Sequence, residues 1–170
     1  MPRIVLHQPR IPPNTGNVAR TCAATGSELH LIEPLGFRID DRQLRRAGLD
    51  YWSAVQVRVH SDEESFHRWR GRRGGRLLAF SSHAPRSYTS CRFDASDWLL
   101  FGREDTGLPE TLRQRADALL TIPMPGGTGQ PGGIVRSLNL SVAVGVVVFE
   151  ALRQLGMQRG DDSRDGRAPL

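Results

Sequence analysis

Short apolar runs alternate along this chain with stretches in which apolar residues recur every three or four positions. Arg3–His7 reads as a first strand, broken by the prolines between Pro9 and Pro13. Asn14 or Thr15 can cap a helix running to Thr25, with Gly26 as its stop. Leu29–Ile32 reads as a second strand ended by Pro34, and Asp40 or Asp41 can open a short helix through Ala47, stopped by Gly48. Val55–His60 alternates as a strand does, and Ser61 with Glu64 predicts an S-x-x-E capping box for a helix through Arg70. Leu77–Ser81 and Trp98–Phe101 read as strands, Glu110–Ala116 as a helix, and Leu119–Pro123 as a strand. A last helix is predicted over Asn139–Leu155, apolar on nearly every face between Leu140 and Phe149. Such a helix is buried all round or covers a partner subunit.

Strands alternating with helices predict an α/β fold: one domain over residues 1–156, with a mostly parallel sheet flanked by helices. The polar stretch 157–170 is expected to be a disordered tail. Ligands of such sheets sit beyond the carboxyl ends of the strands. Here those ends are Pro9–Gly16, Ser81–Ala84, Gly102–Pro109 and Pro123–Ser137.

Composition narrows the function. With 38% apolar and 24% charged residues in 170, the chain is neither collagen-like nor wholly disordered. Its longest apolar run, Val142–Phe149, is far below the ~18–20 residues that span a bilayer, and MPRIVLHQPR lacks the features of a signal peptide, so a cytoplasmic protein without membrane partners is expected. All 23 basic residues are Arg, which excludes Schiff-base lysines and the phosphate-loop lysine. The net charge of +5 lies wholly in residues 1–80, with 13 Arg against 8 acidic residues, a distribution suited to a phosphate backbone. A solvated Arg-rich face is the plainer alternative. Cys22 and Cys91 lack C-x-x-C spacing, and the five His are scattered, so no metal site is expected.

Three segments carry candidate chemistry. In P-N-T-G-N-V-A-R, Asn14, Asn17 and Arg20 recur every three residues around the start of one helix, where they could grip an anion or simply cap the helix beside a solvated Arg. In F-G-R-E-D-T-G-L-P a strand runs into a charged loop bracketed by Gly102 and Gly107, glycines that would let a ligand approach the backbone closely. In the third, Ile122-Pro123-Met124 leads through PGGTGQPGG to R-S-L-N-L-S, with Ser137 and Asn139 as site residues or alternative helix caps. The literal G-x-G-x-x-G within that loop contains Pro131 and precedes its helix by too many residues to be a dinucleotide fingerprint, so a mobile lid is expected instead.

In this order, N-T-G-N-x-x-R-x-C-A-x-T-G, F-G-x-E-x-x-G-L-P and S-x-N-L-S resemble the SPOUT superfamily of RNA methyltransferases. The stretch DDRQLRRAGLDY narrows the resemblance, over residues 3–156, to its TrmL family, small single-domain enzymes that methylate the tRNA wobble ribose. The PGGTGQPGG stretch is longer than the loop usual before the serine motif of that family. The resemblance implies a deep C-terminal trefoil knot, an exception to unknotted chains. It implies S-adenosylmethionine as cofactor, a homodimer in which each site is completed by the partner, and the 2′-hydroxyl of nucleotide 34, a C or U derivative, as substrate, leucine tRNAs above all. Phe80, Gly102, Ile122, Ser137 and Leu138 would then bind the cofactor. Arg20, Asn17, Glu104, Ser137 and Asn139 would serve catalysis, and Arg42, Arg45 and Arg46, with Arg10 nearer the site, would contact RNA. Alternatives are methylation of another tRNA or rRNA position, an α/β enzyme acting on a small nucleotide-like molecule, and an inert RNA-binding module. The small-molecule enzyme leaves the basic N-terminal half unexplained, and joint retention of Arg20, Glu104, Ser137 and Asn139 argues against the inert module.

Overall fold

The computed structural model describes residues 1–39, 52, 54–128, 131 and 133–156. The short helix expected at 40–47, with Arg42, Arg45 and Arg46, lies outside the described residues, as does the stretch 157–170. Seven strands form one sheet: β1 (Arg3–His7), β2 (Leu29–Ile32), β3 (Val57–His60), β4 (Leu77–Phe80), β5 (Arg86–Ser87), β6 (Trp98–Phe101) and β7 (Ala118–Thr121). Their order is β3-β2-β1-β6-β4-β7-β5, and every pairing is parallel. Among the described residues, four α-helices accompany them: α1 (Pro12–Thr25), α2 (Glu63–Arg73), α3 (Glu110–Gln114) and α4 (Leu140–Gln154).

Period-two alternation sorts the strand residues between two cores. Ile4 and Leu6 of β1, Leu78 and Phe80 of β4, and Leu99 and Phe101 of β6 face α1 and α4, meeting Val18, Cys22, Val144 and Val148. Val5, Leu77, Ala79, Trp98 and Leu100 face the other way, onto Phe66 of α2 and Leu112 of α3. Buried on both faces, the central strands read as continuous apolar runs, which is how parallel sheets appear in sequence.

Several expected boundaries move. Pro12 and Pro13 occupy the first turn of α1, and Ile11 is its N-cap with no side-chain hydrogen bond. Prolines have no N–H to cap, so neither Asn14 nor Thr15 is needed there, and both lie buried within the helix. Gly26 ends α1 in the left-handed conformation, as expected. The capping box of α2 is Asp62 with Ser65 rather than Ser61 with Glu64, and the helix continues to Arg73. The shorter Asp62 carboxylate reaches the Ser65 N–H at 2.6 Å, and the Ser65 hydroxyl oxygen accepts from the Asp62 N–H at 3.3 Å. The strand expected from Val55 begins at Val57, and the one expected over Leu119–Pro123 is Ala118–Thr121. The two-residue β5 and the 3₁₀ turn Tyr88–Ser90 that follows it have no apolar periodicity to announce them.

His30 and His60, distant in sequence, meet between β2 and β3. Their Nδ1 and Nε2 atoms are 2.9 Å apart, and His30 Nε2 lies 3.3 Å from Glu28 Oε2. Burial above all drives both imidazoles down to about 4, from an ordinary value near 6.5. Between those values the unfolded chain binds protons that the folded chain refuses, so stability is full above about pH 6.5 and falls as pH drops toward 4. Melting temperature is expected to decline by about 5 °C more over that window in the native chain than in a His30→Gln/His60→Gln variant. Parallel pH profiles of the two would count against neutral buried imidazoles.

Candidate active site

A cavity of about 500 Å³ opens at the carboxyl ends of β4, β6 and β7, lined by Phe80, Phe101, Gly102, Glu104, Ile122, Ser137, Leu138, Asn139 and Leu140 among others. The sheet places this site. Phe80 and Phe101 are register partners at the ends of β4 and β6, and their rings stack at 4.8 Å to form an apolar wall. Beyond β6 the chain folds back on itself: Arg103 and Gly107 exchange backbone hydrogen bonds of 3.1 and 2.9 Å, and Gly107 has φ +71°. Gly102 is glycine because of this return. A Cβ there would stand 2.2 Å from the Gly107 carbonyl carbon and 2.4 Å from the Leu108 nitrogen. The close approach that the sequence suggested for a ligand is made first by the loop's own backbone.

Glu104 projects from that loop to the start of α1. It accepts from the N–H of Arg10 at 2.8 Å, the N–H of Ile11 at 3.2 Å and Nδ2 of Asn14 at 3.1 Å. A carboxylate thus stands where α1 has no capping side chain, at the favourable end of its dipole. An ionised carboxylate only accepts, so the Asn14 amide must turn its NH₂ toward Glu104 and its oxygen away. That oxygen accepts from Asn139 Nδ2 at 2.8 Å, leaving Asn139 Oδ1 to accept from the Ser141 N–H at 2.9 Å and hydroxyl at 2.8 Å. One carboxylate therefore fixes both amide orientations and reaches the N-cap of α4, drawing the three sequence segments into a single network. Asn139 is at once helix cap and cavity residue, whereas Ser137 caps nothing and lies exposed on the cavity lining.

The sequence-predicted residues divide accordingly. Phe80, Gly102, Ile122, Ser137, Leu138, Glu104 and Asn139 share the cavity. Asn17 and Arg20 do not line it; they are exposed on α1, Arg20 about 9 Å beyond Asn14 by helical rise. Arg10 is exposed, with its backbone N–H held by Glu104. The sequence offers Asn14 as an anion-gripping or capping residue, yet it is buried, lines the cavity and joins Glu104 to Asn139. The signal for this was the Pro12-Pro13 pair, which makes Asn14 a poor cap candidate.

The remaining reactive side chains are quiet. Burial pushes the Cys22 thiol up to about 12 and also raises Cys91, so both stay protonated. Asp105 is held well below the usual carboxylate range by the Arg103 guanidinium, 2.7–2.9 Å away. At the cavity's edge the glycine-rich loop is pinned at its base by a Gly127–Val135 bridge, with the Thr128 N–H donating to the Val135 carbonyl at 2.9 Å. Among the described residues, no cluster of three or more His, Cys, Asp or Glu side chains could hold a metal, and no helix is long and apolar enough to cross a membrane.

The SpoU rRNA methylase family model matches residues 1–149. A tRNA (cytidine(34)-2′-O)-methyltransferase of Burkholderia pseudomallei is 46% identical over 159 residues, covering 92% of this chain and 97% of the relative. A solved structure described as giving structural insights into the 2-OH methylation of C/U34 on tRNA aligns with a TM-score of 0.82 and 51% identity, covering 91% of this chain and 95% of that one. The AdoMet-bound rRNA methyltransferase of Sinorhizobium meliloti aligns with a TM-score of 0.79 and 29% identity, over 90% of this chain and 56% of that one.

Proposed function

Since the chain belongs to the SpoU methylase family, we propose that it uses S-adenosylmethionine to methylate the ribose 2′-hydroxyl of nucleotide 34, a C or U derivative, in tRNA, with leucine tRNAs as the expected substrates. The observation that carries this reading is the Glu104–Asn14–Asn139 network, which gathers the three motif segments at one cavity. The residues present fit the cofactor. The cavity has the size of small-molecule sites, its walls at Phe80, Ile122 and Leu138 suit an adenine ring, and Gly102 and Ser137 add backbone and hydroxyl partners. When bound, S-adenosylmethionine supplies an electrophilic methyl group.

The chain's own residues position the ribose and manage its proton. Asn139 Oδ1 already accepts two hydrogen bonds and Nδ2 has spent one hydrogen on Asn14, so a single N–H remains to donate to the ribose oxygen. Ser137 can both accept and donate, which suits it to relay the hydroxyl proton, with Asn17 helping to orient the sugar. Arg20 clamps the 3′-phosphate with its planar, five-donor fork and stabilises the developing alkoxide, acting in the site of a second copy. Holding the reactants in line contributes ~7–11 kcal/mol. Arg10, Arg42, Arg45 and Arg46 contact the anticodon-loop backbone, where bases can be splayed for reading.

A homodimer is part of the proposal. Val142 and Phe149, one heptad apart on α4, are 50% and 49% exposed, an apolar stripe of the kind a second copy covers. Val142→Glu leaves the buried face of α4 untouched and is expected to shift the chain to monomer in sedimentation and to lower activity at least tenfold. A fully active monomer would refute the interface. Threading of the C-terminal segment into a trefoil knot, in one domain over residues 1–156, is supported by β7 lying between β4 and β5, two strands that precede it in sequence. A tRNA substrate is in keeping with a cytoplasmic enzyme.

The function is tested by labelled methyl transfer to total tRNA, followed by nucleoside mapping. Label in 2′-O-methylcytidine or 2′-O-methyluridine at position 34 is expected. Label at another tRNA position, or transfer to rRNA alone, would overturn it.

A further inference from the structure

The charges around the cavity do not balance locally. Its acidic side chains are committed: Glu104 accepts three hydrogen bonds from Arg10, Ile11 and Asn14, while Asp105 pairs with Arg103 and accepts from the Thr106 N–H. Two of the lining arginines are committed as well, Arg103 to Asp105 and Arg113 to Glu110. Arg136 is different. It lines the same cavity, is exposed, and makes no hydrogen bond or ion pair among the described residues. It directly precedes Ser137 and stands three residues before Asn139, the two residues placed at the ribose.

We infer that Arg136 is a substrate-positioning residue, binding a backbone phosphate next to the target nucleotide at the mouth of the site. This rests on the proposed RNA substrate. A ribose presented to Ser137 and Asn139 carries phosphodiesters on both sides, and Arg20 answers one of them. The other arrives at a mouth whose only uncommitted cation among the described lining arginines is Arg136. A guanidinium at the solvent edge meets that phosphate without the desolvation penalty of a buried charge. The methionyl carboxylate of S-adenosylmethionine is the other anion within the chemistry of this group, and the two sources separate experimentally.

Arg136→Ala and Arg136→Lys are compared with the native chain in tRNA methylation over a range of salt and in calorimetry with S-adenosylhomocysteine. Arg136→Ala is expected to raise KM for tRNA about tenfold, as a lost charged hydrogen bond does. The salt slope should fall by about 0.7, the share of one phosphate on a single strand. Affinity for S-adenosylhomocysteine is expected to stay unchanged, and Arg136→Lys to restore most of the loss, because a point charge suffices for a phosphate. An unchanged KM, a changed KM with an unchanged salt slope, no rescue by lysine, or a matching loss of S-adenosylhomocysteine affinity would each overturn the assignment. A native enzyme that fails to methylate nucleotide 34 defeats the functional reading instead, whereas an active native enzyme indifferent to Arg136 defeats only this inference.

Discussion

Glu104→Gln is expected to lower kcat/KM about a hundredfold and to depress melting by several degrees, although glutamine has nearly the same shape. The two oxygens of Glu104 receive three donors: one takes the Arg10 N–H, the other the Ile11 N–H and the Asn14 amide. Glutamine has one oxygen. Whichever way its amide turns, an NH₂ group faces an N–H donor, and either the turn before α1 or Asn14 loses its acceptor. If Asn14 loses it, its amide is free to flip, and the Oδ1 acceptor that Asn139 Nδ2 needs is no longer held in place. Glu104→Asp should be nearly as damaging, since the shorter side chain cannot reach both the α1 turn and Asn14. Steady-state kinetics with a melting curve decide the matter. Native kinetics in Glu104→Gln would mean that charge and bond polarity there are incidental.

The fold was largely legible because its information is local. Three consecutive apolar residues in β1, four in β6 and the buried runs between them announce strands by composition, and Gly26 announces the end of α1 by its left-handed φ. The errors arose where a local rule had more than one candidate. Asp62 with Ser65 and Ser61 with Glu64 are offset by a single residue, and only the backbone direction at Asp62 decides between them. The two residues of β5 pair through backbone alone, without apolar side chains to mark them. In the site, residue types revealed which segments matter but not how they divide. Asn14, Asn17 and Arg20 share one helical spacing, yet Asn14 is buried against Glu104 while Asn17 and Arg20 are exposed. That division depends on a carboxylate 90 residues away, and no window of sequence contains both. The His30–His60 contact escaped for the same reason: strand order, not spacing, brings the two rings together.

The position of Arg20 makes its test unusually discriminating. Arg20→Ala is expected to cut turnover by about 10²–10³ with S-adenosylhomocysteine affinity nearly intact, the range seen when one stabilising donor to an oxyanion is removed. Arg20→Lys should also be poor, since a point charge replaces a planar fork that can hold phosphate and alkoxide together. By contrast, Arg45→Ala with Arg46→Ala should weaken tRNA binding and flatten its salt dependence while most turnover survives at saturation. Arg20 lies outside the cavity lining of its own subunit, whereas Ser137 lies within it. If Arg20 serves a neighbouring copy, Arg20→Ala and Ser137→Ala chains complement one another when refolded together. The Arg20→Ala subunit brings an intact Ser137, and the Ser137→Ala subunit brings an intact Arg20. Random pairing makes half of the dimers mixed, each with one complete site, so about one quarter of native activity should return from two nearly inactive proteins. If each site used its own Arg20, no pairing would assemble a complete one and the mixture would stay inactive. An Arg20→Ala enzyme with normal turnover at saturating tRNA would instead make Arg20 a binding residue and remove it from the chemistry.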